Sequence, residues 1–352
     1  MDIKNIISQF NSKGEIVSIE PFGNGHINKT YLVTTTERQY ILQCINSTAF
    51  KDVNLLMNNI GYVTSHLLSK DIFTIKFLKT SEDLLYYKAG NEYYRLYRFI
   101  DHVICHEGIA SLDLIRKAAE AFGDLHRHLA DLDATLLKEV IPHFHDTPKR
   151  YNDLLNAIKE DKKNRLSTCQ KEVEEVGELK DYFPLIMDAI NKKEIPLGIT
   201  HNDPKINNVL FDEETDDFKC VIDLDTVMPG SVLFDFGDAL RSLFTGTNED
   251  NSDPSTCHVD FDIYSTYLEG YWSKMKAVLN KKEIELLPYA PLILSIECGM
   301  RFLEDYLRGD VYFHIAYPEH NLIRARTQIY QAHDILNNID KLKEITKEVT
   351  SR

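Results

Sequence analysis

Two different hydrophobic patterns divide the chain. In residues 1–100, apolar and polar side chains alternate in short runs rich in β-branched and aromatic residues, a pattern typical of strands. This pattern predicts strands over 15–22, 30–36, 39–45, 71–80, 84–90 and 92–100. Apolar side chains recur at helical spacing only over 3–10 and 51–69, so these segments are predicted to be helices.

From residue 109 onward the apolar side chains follow the helical period. Ser111 is the predicted N-cap of a helix that carries Leu114, Ala118 and Leu125 on one face. Further helical patterns cover 151–183, 264–279, 292–307 and 323–336. The change from strands to helices predicts an α+β fold with two lobes, 1–100 and 101–352.

Composition narrows the class of protein. The 352 residues carry a formal net charge of −15, which argues against nucleic acid or an anionic membrane as a partner. The six cysteines contain no C-x-x-C pair, which favours reduced thiols. No run approaches 18 apolar residues and the first residues lack a signal pattern, so we expect a cytoplasmic protein. The oligomeric state is not predicted.

The most informative segment is 199–225, ITHNDPKINNVLFDEETDDFKCVIDLD. Its H-x-D-x-x-x-x-N spacing is that of a kinase catalytic loop, in which the aspartate accepts the proton of the attacking hydroxyl and the asparagine helps to hold Mg²⁺. Asp203 fits the base, and Asn208 and Asp223 fit the metal ligands. Lys205 would offset charge on the transferred phosphoryl group, and Asp225 would touch a second ion. H-x-D followed by proline is also an ordinary turn, but the acidic turn and the D-L-D strand end favour phosphoryl transfer with ATP and Mg²⁺.

Candidate nucleotide contacts lie in the N-terminal part. Gly23 and Gly25 stand in a turn between two strands, where unobstructed backbone N–H groups would cover phosphates, although an ordinary tight turn has the same composition. His26 and Asn28 in this turn would then lie near sugar or phosphate. Strand 92–100 carries Tyr97 and would offer backbone hydrogen bonds to adenine; Arg95, Tyr97 and Arg98 read equally well as its exposed face.

Two further patterns concern support of the catalytic loop. Asp235 and Asp238 near a predicted helix start would cap that helix or hold the loop by hydrogen bonds. His126 and His128 are two residues apart, so they point to different sides of a helix and are expected to be solvated.

The chain resembles the aminoglycoside phosphotransferase and choline kinase family of protein-kinase-like folds, and within it the N-acetylhexosamine 1-kinases. The resemblance runs through nearly the whole chain and rests on these strings: EPFGNGHINKTYLVTT, YILQCIN, FHDTP, THNDPKINNVLFD, VIDLDTVMPGSVLFDFGDALR, ECGMRFLEDYLRGDVYF and YPEHNLIRARTQI. It implies ATP-dependent phosphorylation of the anomeric hydroxyl of N-acetylglucosamine or N-acetylgalactosamine. It also implies a sugar pocket containing His26, Arg301 and Tyr312, whereas Arg301 without the resemblance would be interpreted as a surface ion-pair residue.

One departure from protein kinases concerns the nucleotide. Protein kinases place a lysine on the third strand against the phosphates, and this sequence has Gln43 at the matching place. Two alternative functions stay open: a kinase for another small alcohol such as an amino sugar, homoserine or choline, and a non-catalytic nucleotide-binding regulator. The missing lysine is the only feature that favours the regulator.

Overall fold

The computed structural model describes residues 2–23, 28–106, 108, 111–245 and 253–352. The strands are β1 (Ile16–Pro21), β2 (Lys29–Thr35), β3 (Gln39–Ile45), β4 (Tyr87–Ala89), β5 (Glu92–Arg98), β6 (Val103–Ile104), β7 (Gly198–Thr200), β8 (Val209–Asp212), β9 (Phe218–Val221) and β10 (Met228–Gly230). The helices are α1 (Ile3–Ile7), α2 (Val53–Ser69), α3 (Leu112–Leu129), α4 (Thr147–Glu160), α5 (Gln170–Glu178), α6 (Leu185–Asn191), α7 (Val232–Thr245), α8 (Phe261–Met275), α9 (Lys281–Leu286), α10 (Ala290–Arg308), α11 (His320–Asn337) and α12 (Ile339–Thr350).

The chain divides into two compact units. The first contains 1–104, 135–142 and 210–228, and the second contains 105–134, 143–209 and 229–352. In the first unit Asn59 on α2 joins the separate segments, because its amide nitrogen donates to Lys138 O at 2.7 Å and to Val227 O at 2.9 Å. The predicted domains, 1–100 and 101–352, stay a prediction.

The first unit is built on a five-stranded antiparallel sheet in the order β1-β2-β3-β5-β4. Alternate side chains of β2, β3 and β5 are buried against α1, and the buried apolar cluster is formed by Ile6, Ile7, Phe10, Val33, Tyr40, Leu42, Tyr94 and Leu96. This confirms the predicted antiparallel sheet.

The predicted strand 71–80 is wrong in extent. The segment makes only isolated bridges, Phe77 with Tyr97 and Phe10 with Thr80. The physical reason lies in β5, whose outer edge already pairs with β4 through 92–94, so that only the end of β5 is left for residues 76–78.

The second unit is helical, with α10 at its centre. The stretch Lys281–Arg308 is long and apolar enough to cross a membrane by length and composition, but 83% of its apolar window is buried inside the protein. Two glycines allow close helix packing: a Cβ on Gly237 of α7 would lie 2.5 Å from Ala290 O, and one on Gly270 of α8 would lie 2.5 Å from Arg116 O of α3. The sheet followed by a helical part confirms the predicted α+β class.

Candidate active site

The catalytic-loop segment begins where β7 ends. Thr200 and His201 are fully buried, and Asn202 has a φ of 64°, in the left-handed region that asparagine tolerates better than most residues. The turn directs the chain into Asp203, and residues Ile206–Asn208 close it as one turn of 3₁₀ helix. The result is a short loop with Asp203 at its bend.

Three predicted site residues meet on this loop. The amide nitrogen of Asn208 donates to Asp203 O at 2.8 Å and to Asp203 Oδ2 at 2.9 Å. Lys205 Nζ lies 3.3 Å from Asp203 Oδ1, and the side chains of Lys205 and Asp203 are 42% and 33% exposed. Asp203 is therefore oriented by neighbours and still open to a substrate, which suits a base that must receive a proton from a bound hydroxyl.

Asp235 of α7 holds the loop through hydrogen bonds to its backbone. Its carboxylate is 1% exposed and accepts from His201 N at 2.6 Å, from Asn202 N at 2.7 Å and from His126 Nε2 at 2.7 Å. The expected support of the loop by Asp235 is confirmed. Asp238, the second candidate, pairs with Arg241 Nε at 2.6 Å.

The charge of Asp235 is stabilised despite its burial. Burial alone raises the pKa of this carboxyl, but the hydrogen bond and charge of His126, together with His201, outweigh it and bring the pKa below its ordinary value. The solvated state expected for His126 is wrong: the ring is buried, and its Nδ1 lies 2.9 Å from Tyr271 Oη.

The D-L-D segment belongs to the first unit. Asp223 is exposed and has a φ of 57°, and the 3₁₀ turn Leu224–Thr226 follows it. Asp225 is buried, and both of its oxygens bind the guanidinium of Arg95, with Nη2 to Oδ2 at 3.1 Å. Asn28 Nδ2 donates to Asp225 Oδ2 at 2.7 Å. Asp223 and Asp225, two residues apart, therefore have very different environments.

The alternative that Arg95 lies on an exposed strand face is wrong, because the residue is only 3% exposed. Burial alone lowers the pKa of Arg95, but Asp225, and more weakly Asp223, raise it above its ordinary value. Its Nε donates to Gln43 Oε1 at 2.8 Å, so the residue at the usual lysine position is a hydrogen-bond partner of an arginine on the adjacent strand.

Each segment by itself carries an oxygen group of the kind that Mg²⁺ prefers. In the catalytic loop this is the amide oxygen of Asn208, whose amide nitrogen donates to Asp203, and in the D-L-D segment it is the exposed carboxylate of Asp223. Among the described residues there is no group of three or more His, Cys, Asp or Glu side chains that would hold a metal ion. Mg²⁺ does not need such a group, since it commonly takes one or two carboxylates with phosphate oxygens and water.

Arg301 lies among aromatic rings in the second unit. Its guanidinium carbon is 5.0 Å from the ring centre of Phe144, 5.5 Å from that of Phe313 and 5.9 Å from that of Tyr312. These distances are in the range of cation–π attraction. The structure thus brings Arg301 and Tyr312 together, and Tyr312 is 66% exposed.

The segment 311–313 is fixed by Asp305, a residue that the sequence did not point out. Its two oxygens accept from the backbone N–H groups of Val311, Tyr312 and Phe313, each at 2.9 Å. Asn321 Nδ2 donates to the same carboxylate at 2.9 Å. An acidic residue shortly before a Gly-Asp turn is the only sequence signal for this role, and it is a weak one.

The remaining predicted contacts are distributed as follows. Gly23 is exposed, with a φ of 75°, and Tyr97 packs its ring edge-on against Phe77 at 5.2 Å. Gly25 and His26 lie outside the described residues. The roles of all four in binding stay predictions.

Comparison with known proteins places this arrangement in a family. Residues 18–270 match the profile of the phosphotransferase enzyme family. Similar solved structures include an aminoglycoside phosphotransferase from Alicyclobacillus acidocaldarius (TM-score 0.64, 14% identity, covering 99% of this chain and 97% of that one). A microcompartment-associated aminopropanol kinase (0.65, 15%, 97% and 99%) and an ethanolamine kinase from Plasmodium vivax (0.57, 15%, 93% and 84%) are also similar.

At such identities the structures establish the fold alone, and they confirm the predicted protein-kinase-like fold. The family profile carries the assignment further, since it spans well over half of the sequence and includes the H-x-D-x-x-x-x-N loop, the D-L-D segment and Asp235. This chain belongs to the phosphotransferase enzyme family.

Proposed function

We propose that this phosphotransferase transfers the γ-phosphoryl group of ATP to the anomeric hydroxyl of an N-acetylhexosamine and releases the sugar 1-phosphate and ADP. The observation that carries the proposal is Asp203, which is partly exposed, held by Asn208 and Lys205, and mounted on a loop fixed by buried Asp235. A non-catalytic regulator would not need a partly exposed aspartate that is oriented in this way.

The proposed chemistry follows from these contacts. The anomeric oxygen bonds to the γ-phosphorus while the bond from phosphorus to the ADP oxygen breaks, and the hydroxyl proton passes to Asp203. Lys205 places positive charge beside Asp203. Asn208 and Asp223 would hold Mg²⁺, which supplies charge neutralisation on the phosphates.

The Arg301 cluster favours a neutral acceptor. Choline-type and aminoglycoside acceptors are cations, which aromatic faces and carboxylates attract. Here the faces of Phe144, Tyr312 and Phe313 already contact a guanidinium, which repels a second cation. The fork of N–H donors on Arg301 suits sugar hydroxyl or acetamido oxygens, and the exposed Tyr312 ring suits a sugar face.

A kinase for another small alcohol is the second candidate, because similar folds include proteins named as aminopropanol, ethanolamine and choline kinases. Within the proposal, His26 contacts the sugar, while Gly23, Gly25, Asn28, Gln43 and Tyr97 line the nucleotide side. The proposal also includes a cytoplasmic location. Its partner is a small-molecule substrate, with neither nucleic acid nor a membrane as a further partner.

The test is incubation with Mg²⁺ and ATP against a panel of hexoses, N-acetylhexosamines, ethanolamine, choline and homoserine, with products read by ³¹P NMR. Phosphate on the anomeric carbon of N-acetylhexosamines is the expected result. Phosphorylation of the amino alcohols alone would contradict the proposal and favour the second candidate. Absence of any product would favour the non-catalytic regulator.

Arg301→Ala tests the acceptor pocket. We expect KM for the sugar to rise about tenfold or more, since charge-assisted hydrogen bonds contribute about 1.5–3 kcal/mol, with KM for ATP changed less than about twofold. Arg308→Ala is the matched control, because Arg308 lies on the same helix and pairs with Glu304 and Glu160. Equal changes in both KM values would remove Arg301 from the sugar pocket.

A further inference from the structure

Arg95 is held by a row of side chains across three strands. It stands opposite Gln43 in the register of β5 and β3, and Gln43 stands opposite Thr30 in the register of β3 and β2. Gln43 accepts from Arg95 Nε at 2.8 Å and donates to Thr30 Oγ1 at 3.1 Å. The guanidinium is therefore held by side chains on the two neighbouring strands of the sheet.

The other end of Arg95 grips Asp225. Two guanidinium nitrogens bind the two carboxylate oxygens, and the two side chains are only 4% and 5% exposed. Asn28 adds a third hydrogen bond to Asp225 and accepts from Asn46 N at 2.9 Å. A bidentate pair of this kind fixes orientation as well as distance.

The negative charge of Asp225 is thereby compensated by the positive charge of Arg95. A cation gains little from a carboxylate that is already paired and hydrogen-bonded on both oxygens. Asp223, two residues earlier, is exposed, and its left-handed backbone is set by the turn that leads to Asp225. Fixing Asp225 therefore also fixes the direction in which the side chain of Asp223 extends from the backbone.

We propose that Arg95 is a positioning residue: through Asp225 it locks the D-L-D turn so that Asp223 alone presents a carboxylate to the nucleotide-bound divalent cation. The inference rests on the proposed kinase function. Arg95 does not replace the strand lysine as a direct phosphate contact, because its guanidinium is buried and engaged by Gln43 and Asp225. The strand residue Arg95 therefore orients the metal-binding carboxylate of Asp223, whereas the lysine of protein kinases contacts the phosphates directly.

The test measures metal binding without turnover. Mn²⁺ is titrated into the protein with ADP, and free Mn²⁺ is followed by electron paramagnetic resonance for wild type, Arg95→Lys and Arg95→Met. We expect about tenfold weaker Mn²⁺ binding or more, in line with the loss caused by removing groups that orient metal ligands. Arg326→Lys is the matched control, because Arg326 also pairs with a buried carboxylate, Glu172, on a different surface. Unchanged Mn²⁺ binding in folded Arg95→Lys would overturn the inference.

A double variant separates positioning from ligation by Asp225. In Arg95→Met the carboxylate of Asp225 is left buried and unpaired, so adding Asp225→Asn relieves it, and the double variant should bind Mn²⁺ at least as well as Arg95→Met. A further tenfold loss in the double variant would make Asp225 a ligand and overturn the inference.

Folding is checked by thermal unfolding without ligand. If the Arg95 variants fail to fold, Gln43→Met tests the same row more gently, since it removes the acceptor of Arg95 Nε and the donor to Thr30 Oγ1 but leaves both hydrogen bonds from Arg95 to Asp225. About threefold weaker Mn²⁺ binding supports the inference, and wild-type binding contradicts it. The experiment contains no sugar, so its results do not depend on whether the proposed acceptor is correct. If the wild-type protein does not bind Mn²⁺ in the presence of ADP, both this inference and the proposed kinase function are contradicted.

Discussion

Asp235→Asn is the substitution that most directly tests how the catalytic loop is supported. The carboxylate receives two backbone N–H groups of the loop and the ring of His126. An asparagine offers one oxygen and one NH₂ group, so at least one of these three donors would face another donor. Hydrogen bonds to buried charged groups contribute about 1.5–3 kcal/mol each, so we expect a loss of about 3 kcal/mol in the free energy of unfolding.

The assay is urea unfolding followed by circular dichroism, with turnover measured under conditions where the variant is folded. Turnover should fall together with stability, because His201 and Asn202 set the position of Asp203. Asp238→Asn is the control: Asp238 is on the same helix and pairs with Arg241, so stability should fall while turnover is largely kept. A folded Asp235→Asn protein with wild-type turnover would refute the role of Asp235 in the loop.

The pH dependence has a defined sign. The pKa of Asp235 is lower in the folded protein than in the unfolded chain, where an aspartate titrates near about 3.9. Its contribution to stability is therefore fully present above about pH 4 and is lost as pH falls through the lower folded-state pKa. The difference in urea midpoint between wild type and Asp235→Asn should narrow below about pH 4, and a constant difference would contradict the assigned charge.

Three other substitutions probe separate parts of the chain. Asp203→Asn should reduce kcat by at least about a hundredfold with KM for ATP little changed, and near-normal turnover would exclude Asp203 as the base. Asp305→Asn loses at least one of four hydrogen bonds that fix 311–313, so KM for the sugar should rise more than KM for ATP; equal rises would disconnect this segment from the acceptor. Gly237→Ala places a Cβ 2.5 Å from a backbone oxygen of α10 and should lower urea stability by about 1–3 kcal/mol, whereas Gly177→Ala, with open space around it, should not.

Local patterns predicted much of the fold. Period-two alternation located β1, β2, β3 and β5, and the helical period located α2 and α3, with Ser111 accepting from Leu114 N as the expected N-cap. The same alternation failed over 71–80, because whether a strand pairs along its length depends on which edge is free. That information lies in β4 and β5, not in the segment itself.

The candidate site was predictable where its residues are close in sequence. The spacing of Asp203, Lys205 and Asn208 alone indicated that they meet. The burial of Arg95 and of His126 was not predicted, because their partners, Asp225 and Asp235, lie more than a hundred residues away. A buried charge is indistinguishable from an exposed one in a single alternating strand until its counter-ion is located.

The left-handed backbones of Asn202 and Asp223 limit how this enzyme can be altered in the laboratory. Asn202 precedes the candidate base Asp203, and Asp223 is itself a candidate metal ligand. Most side chains adopt their φ values of 64° and 57° only at a cost of about 1–3 kcal/mol. Substitutions at these two positions should therefore lower the stability of most variants. Diversity aimed at new acceptors is better placed around the exposed 311–312 segment, where Val311 and Tyr312 carry side chains in solvent.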